Sequence, residues 1–324
     1  MPESVNPVIA DDPTIQCTCG TDRAANTKAQ AVAVNRIVAG VDGSAAATTA
    51  ARWAAREAAI RSIELCVVHV VHADLTGWPQ TGWPAIPLPP EVGEAQVAQG
   101  EKVLQETLAD IATTTGQRQP RNITTRICIG AVAPTLREFA RHHDTMIVVG
   151  RRGRGGMHRA LLGSVSSAML HTAHCPVAVV HDMSTIESTP APVVLGVDGS
   201  PASEYATAIA FDEAWRRAVE LIAVHATDHA DAAQAEHLLS RRLAEYKRRF
   251  PRITVRRVIT GAHPADALLA HSQHAQLVVV GSRGRGGLAR TLLGSVSAAV
   301  VQACRTPVIV AGRQACSASP PQSC

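Results

Sequence analysis

The sequence predicts an α/β protein of two tandem, doubly wound domains, each a five-stranded parallel sheet in the order 3-2-1-4-5 with helices on both faces. Three observations predict it. The 324 residues divide into two domains at roughly 150 residues each, long enough to bury a core without metal or disulfide staples. The chain also repeats itself: GVDGS stands at 40–44 and again at 196–200. A longer segment, GRRGRGGMHRALLGSVSSAML (150–170), returns as GSRGRGGLARTLLGSVSAAVV (281–301), identical at 14 of 21 positions. Finally, short β-branched runs alternate with Ala-rich amphipathic stretches along both halves.

The expected layout is a leader (1–35), a first domain (36–182), a linker (183–191), a second domain (192–312) and a tail (313–324). In the first domain the strands are RIVAGV (36–41), ELCVVHVV (64–71), NITTRICI (122–129), MIVVG (146–150) and PVAVVH (176–181). In the second they are PVVLGV (192–197), ELIAVHA (220–226), ITVRRVI (253–259), LVVVG (277–281) and PVIVA (307–311). Apolar runs without clean alternation belong to strands covered on both faces. The stretches AAATTAARWAAREAAIR and SEYATAIAFDEAWRRA, each after a first strand, supply covering helices. A period near 150 residues is too long for a solenoid, so the repeat unit is a whole domain. Asp42 to Gly150 spans 108 residues against 83 from Asp198 to Gly281, and most of the excess is ADLTGWPQTGWPAIPLPP. Its proline density excludes helix and central strand, leaving an extended loop that carries Trp78 and Trp83.

Composition narrows the classes. With 46% hydrophobic and 18% charged residues the chain is not wholly disordered. Only nine residues are aromatic, so the core is built from Ala, Val, Leu and Ile. A net charge of +4 gives neither nucleic acid nor membrane binding any push. No apolar run reaches the ~18–20 residues of a membrane span, and the first residues lack the basic start and apolar core of a secretory signal. The eight cysteines are scattered without a C-x2-C pair: Cys66 and Cys128 in strands, Cys17 and Cys19 in the leader, Cys316 and Cys324 in the tail. A reduced, cytoplasmic protein without membrane insertion is expected.

The loop after strand four carries the chemistry. Gly150, Gly153 and Gly163 precede Ser164 and Val165, where a helix opens; Gly281, Gly284, Gly294, Ser295 and Val296 repeat the pattern. Glycines let a backbone approach phosphate oxygens, and a helix N-terminus presents free N–H groups with partial positive charge. Ser164 is expected to cap that helix. Arg152, Arg154 and Arg159, and then Arg283, Arg285 and Arg290, add charge. A P-loop is excluded, because no G-x-x-x-x-G-K-[ST] occurs and neither loop contains one of the three lysines. A dinucleotide fingerprint is excluded because that motif follows the first strand. Asp42-Gly43-Ser44 and Asp198-Gly199-Ser200 end the first strands, at the carboxyl edge where open α/β sheets bind ligands. If they share a ligand with the glycine loops, strands one and four must be neighbours. Asp-Gly is also a common turn pair, and the recurrence at Asp198 favours the pocket over that reading alone.

The spacing G-x2-G-x9-G-[ST], occurring twice, with V-D-G-S ending strand one and V-H-V after strand two, resembles the nucleotide-binding signature of universal stress proteins. The resemblance covers nearly everything from Arg36 to Gly312 and is to the tandem-domain type of actinobacteria. It implies a Rossmann-like, adenine nucleotide α-hydrolase-like fold and ATP binding, with Mg2+, in each half. Carried over, Asp42 and Asp198 meet the nucleoside, and the backbone around Val70 and Ala226 meets the adenine. The Gly153 and Gly284 loops, with Ser164-Val165 and Ser295-Val296, hold the phosphates. Ala226 is smaller than Val70, so the two sites are expected to differ. The family also implies a homodimer paired through the fifth strand, at 176–181 or 307–311.

No catalytic set stands out. His69 and His225 read as strand-end residues, and His142, His143, His171 and His174 lack carboxylate companions at metal spacing. The expected function is a nucleotide-dependent regulator of the stress response with an unidentified protein partner. A slow ATP hydrolase or nucleotidyl transferase using the same pocket is the alternative. RNA binding through R-G-R-G-G is the weaker third reading, because no aromatic residues interleave.

Overall fold

The computed structural model describes residues 34–71, 90–114, 119–141, 144–153, 162–181, 190–227, 232–284 and 293–312. The first half runs β1 (Arg36–Val41), α1 (Ala45–Arg61), β2 (Glu64–Val71), α2 (Pro90–Thr114), β3 (Asn122–Ile129), α3 (Val132–Phe139), β4 (Thr145–Gly150), α4 (Ser164–Thr172) and β5 (Val177–Val180). The second runs β6 (Val193–Gly196), α5 (Pro201–Arg217), β7 (Leu221–Ala226), α6 (Ala232–Arg249), β8 (Val255–Thr260), α7 (Pro264–Ser272), β9 (Leu277–Gly281), α8 (Ser295–Ala303) and β10 (Val308–Ala311). The predicted strands match these within two residues at every end. The Trp78/Trp83 loop and Cys17, Cys19, Cys316 and Cys324 lie outside the described residues.

Within each half the order is 3-2-1-4-5 and every pairing is parallel, as expected. The two five-stranded halves are joined edge to edge. All ten strands form one sheet, β3-β2-β1-β4-β5-β10-β9-β6-β7-β8, joined by an antiparallel pairing of β5 with β10. Val179 faces Val308, Ala178 faces Ile309 and Val177 faces Val310. Both strands are apolar and buried along their whole length. An unpaired edge of that kind would be a template for aggregation. The duplication resolves it, because two copies of one edge related by a local two-fold pair antiparallel. The fifth-strand edge that the resemblance offers to a second chain is thus occupied inside one chain.

Two cores follow, one on each face, and both run unbroken across the seam. Residues of α1, α2, α5 and α6 build the first. Those of α3, α4, α7 and α8 build the second. The first core is mostly Ala against Val and Leu, with Phe211 its largest fully buried side chain. Where α1 meets α5, four charged residues close the seam. Arg61 Nε donates to Glu57 Oε1 at 2.6 Å and its Nη2 to Glu213; Arg217 donates to Glu57 and to Glu213. Asp212 adds a bond from Arg61 Nη1 at 2.9 Å. Glu57 and Arg61 occupy in α1 the places that Glu213 and Arg217 hold in α5, so each helix supplies one i,i+4 pair and both cross pairs follow by symmetry. The side chains of Glu57, Arg61 and Glu213 are 1%, 2% and 0% exposed.

Two groups set the expected response to acid. Burial opposes ionisation of Glu57, but Arg217 and Arg61 outweigh it and lower its pKa from 4.5 to about 2. Burial, with Arg151 and Arg152 nearby, pushes His181 from 6.5 down to about 4. In both cases the unfolded chain takes up the proton first as pH falls. The His181 contribution is therefore complete above pH 6.5 and lost between 6.5 and about 4, while that of Glu57 is lost between 4.5 and about 2. Burial raises the pKa of Glu213, which shares both arginines with Glu57, so these two carboxylates act with opposite sign. The testable window is that of His181: the urea midpoint should fall between pH 6.5 and about 4, and His181→Asn should flatten that upper segment. An upper segment as steep in His181→Asn as in the parent would contradict this assignment.

The cysteines of the described residues, Cys66, Cys128, Cys175 and Cys304, are free thiols. Burial raises the Cys175 thiol to about 12, so it acts as a small apolar side chain. No helix among the described residues is long and apolar enough to cross a membrane.

Candidate functional site

The topology places β1 between β2 and β4, which makes the carboxyl end of β1 the switch point of the first half. In register, Val41 lies beside His69 and Ala39 beside Val148, so Asp42 continues next to Val70 on one side and, on the other, next to Arg151, the residue after Gly150. In the second half Gly196 lies beside Val224 and Leu195 beside Val279, so Asp198 continues next to Ala226 and next to Ser282, the residue after Gly281. The strand neighbours that the sequence required are present.

Asp42 both closes its own turn and faces the glycine loop. Its Oδ1 accepts from Ser44 N at 2.9 Å, closing the turn, while Oδ2 lies against Gly153 so closely that a Cβ there would overlap it. In the second half Asp198 Oδ1 accepts from Ser200 N at 2.9 Å, and a Cβ on Gly284 would stand 2.7 Å from Asp198 Oδ2. The turns need Gly43 and Gly199, whose φ values of 77° and 79° suit glycine. Gly150 and Gly281 let β4 and β9 press on the first turns of α1 and α5; a Cβ on Gly150 would sit 2.7 Å from Ala46 O.

Ser44 and Ser200 cap α1 and α5, accepting from Ala47 N and Ser203 N, each at 3.2 Å. Around α4 and α8 the capping expectation is corrected. Gly163 and Gly294, in extended conformation, are the capping residues, and no side chain caps either helix. Ser164 and Ser295 are already helical and exposed. Anchoring falls instead to Ser166, whose hydroxyl donates to Gly163 O and Arg151 O, and to Ser297, which donates to Gly281 O. The capping glycines thus offer no side-chain acceptor to the first-turn N–H groups of either helix. Val165 and Val296 pack their side chains against the second core. The loop neck is closed by Gly163 N to Arg151 O and by Gly294 N to Ser282 O, both 2.9 Å. Arg154, Arg159, Arg285 and Arg290 lie outside the described residues, as do His142 and His143.

His69 and His225 hold the floor of each site. Their Nδ1 atoms lie 2.9 and 2.6 Å from Val41 O and Val197 O, and a carbonyl can only accept, so Nδ1 carries the proton. This agrees with their reading as strand-end residues. His171 Nδ1 likewise bonds Ser167 O. Among the described residues no group of three His, Cys, Asp or Glu could hold a metal.

The two sites are not copies. In the second half Ser203, in the place of Ala47, accepts from Asp198 N at 3.1 Å, and Ser200 Oγ donates to Arg283 O at 3.2 Å. A crevice between α5 and α6 flanks this turn, lined by Gly199, Ser200, Glu204, Arg242 and Tyr246. Arg242 donates to Glu204 and, at 3.4 Å, to Gly199 O. Sequence reading missed Arg242 and Tyr246, because polar residues on an amphipathic helix carry no local sign of which turn they face.

Comparison with known proteins agrees with this architecture. The model of the universal stress protein family matches residues 33–181 and 191–312. The universal stress protein Rv2005c of Mycobacterium tuberculosis is 44% identical over 289 residues, spanning 85% of this chain and 96% of that protein. Universal stress protein Rv2623 of the same organism is 43% identical over 289 residues, spanning 85% and 95%. Among solved structures, a universal stress protein from Archaeoglobus fulgidus superimposes with a TM-score of 0.65 at 22% identity, over 86% of this chain and 99% of that one, and supports the fold. With both halves matched and the mycobacterial relatives aligned almost end to end, the chain belongs to the universal stress protein family.

Proposed function

We propose that each half binds ATP, accompanied by Mg2+, and that occupancy of the two sites sets the state in which this stress protein meets a partner. The carrying observation is the meeting, twice in one chain, of a carboxylate with a glycine whose Cβ it would exclude. Beside each pair stands a helix that begins on glycine without a side-chain cap. These features fit a nucleotide. Asp42 or Asp198 would accept from its hydroxyl or amine groups, the backbone at Val70 or Ala226 would face the base, and the N–H groups after Gly163 or Gly294 would take phosphate oxygens. Mg2+ would come with the phosphates and neutralise part of their charge, since the chain's own described residues build no cage for it. A cytoplasmic setting, where ATP and Mg2+ abound, suits this reading.

Mass spectrometry of small molecules released from the purified protein tests it, with an adenine nucleotide as the expected species. Release of no nucleotide, together with no uptake of added ATP, would overturn the proposal. ADP or AMP accumulating with repeated turnover, and lost in Asp42→Ala, would favour a slow hydrolase.

A further inference from the structure

Arg151, the residue after Gly150, reaches across the seam. Its Nη2 donates to Gln302 O at 2.6 Å, in the last turn of α8. A cation there meets the partial negative charge of the helix C-terminus. Seven residues before Gln302, the other end of α8 is the Gly294–Ser295 turn of the second site. Arg151 is also the neck of the first loop. Its N donates to Val180 O at 3.0 Å, and its carbonyl accepts from Gly163 N at 2.9 Å and Ser166 Oγ at 3.1 Å. One residue therefore ties the phosphate turn of the first half to the helix that opens on the phosphate turn of the second.

The tie runs one way. The counterpart of Arg151 is Ser282, whose side chain is too short to cross, and its hydroxyl is buried without a partner among the described residues. His181, which packs at the same end of α8, has Gly312 as its counterpart. The clasp is also incompletely satisfied. Arg151 Nε is buried with no hydrogen-bond partner among the described residues. A contact held by one bond, with a further donor unmatched, rearranges at little cost.

We propose that Arg151 couples the two sites: nucleotide on the first tightens the loop neck, fixes Arg151 on α8 and raises the affinity of the second. This rests on the nucleotide reading above and adds a regulatory link to it. Coupling of binding free energies is reciprocal, so filling the second site strengthens the first by the same factor.

Calorimetric titration of the full chain with Mg-ATP tests it, using Gly153→Ala and Gly284→Ala to silence one site each. The surviving site in each variant should bind roughly five-fold or more weakly than the same site in the parent with its neighbour filled. The two factors should agree. Arg151→Ser, which copies the residue the second half already tolerates, should make each site indifferent to the other, while Arg151→Lys should keep part of the dependence. Surviving sites with parental affinity, or a dependence that persists in Arg151→Ser, would overturn the coupling and leave two-site binding standing. Absence of any binding by the parent would instead remove the nucleotide reading itself, and the coupling with it.

Discussion

Replacing Glu213 with alanine should cost the folded chain about 3–5 kcal/mol, the usual result of removing one partner from a buried ion pair. Glu213 is the most enclosed of the four seam residues, and it receives bonds from both Arg61 and Arg217. Without it the two guanidinium groups share Glu57, with Asp212 at the rim, while both remain out of water. Desolvation of the surplus charge then has no compensation. Urea unfolding followed by circular dichroism reads the loss directly. Replacing all four residues by apolar ones of similar volume should be nearly neutral, because a well-packed apolar seam dispenses with the desolvation cost altogether. Glu106→Ala, which breaks an exposed pair with Lys102 at 3.9 Å, should change nothing measurable. A loss below about 1 kcal/mol in Glu213→Ala would mean that the quartet behaves like a solvated surface pair.

Gly153→Ala should weaken nucleotide binding in the first half by roughly 10–100-fold, equivalent to about 1.4–2.8 kcal/mol, and Gly284→Ala should do the same in the second. The added methyl falls on Asp42 Oδ2, and Asp42 cannot simply swing away because its Oδ1 is held by Ser44 N. Either the loop or the carboxylate must move, and the pocket is defined by both. Gly153 and Gly284 are exposed loop residues, so the fold should tolerate the change. Gly93→Ala is the control. A Cβ there meets nothing within 4 Å, so binding should be untouched while α2 gains roughly 0.5–1 kcal/mol of helix stability.

The strands, their order and the duplication were legible because each rests on local signals: apolar runs of fitting length, glycine punctuation, and a repeat long enough to be read by eye. The pairing of Asp42 with Gly153 followed from the same topology, since a shared ligand required adjacent first and fourth strands. The β5–β10 seam was not legible. The residues VAVV and VIVA pair equally well with a second chain or with their own duplicate, and neither segment carries a mark that separates the two. The buried quartet was equally hidden, because Glu and Arg at i,i+4 on a helix ordinarily mark a solvated face. Its signal was there all the same, in the return of Glu57 and Arg61 as Glu213 and Arg217 at the offset of the GVDGS repeat. The capping of α4 was misplaced by one residue, since Gly163 and Ser164 are both good capping types and only backbone conformation separates them.

The most direct measurement is a calorimetric titration of the parent chain and of the double variant Gly153→Ala/Gly284→Ala with Mg-ATP. Two nucleotides bound per parent chain, and none bound at comparable affinity by a double variant that still unfolds cooperatively, is the expected result. Two unchanged sites in the double variant would contradict the assignment of the paired Asp-Gly pockets as the places where nucleotide binds.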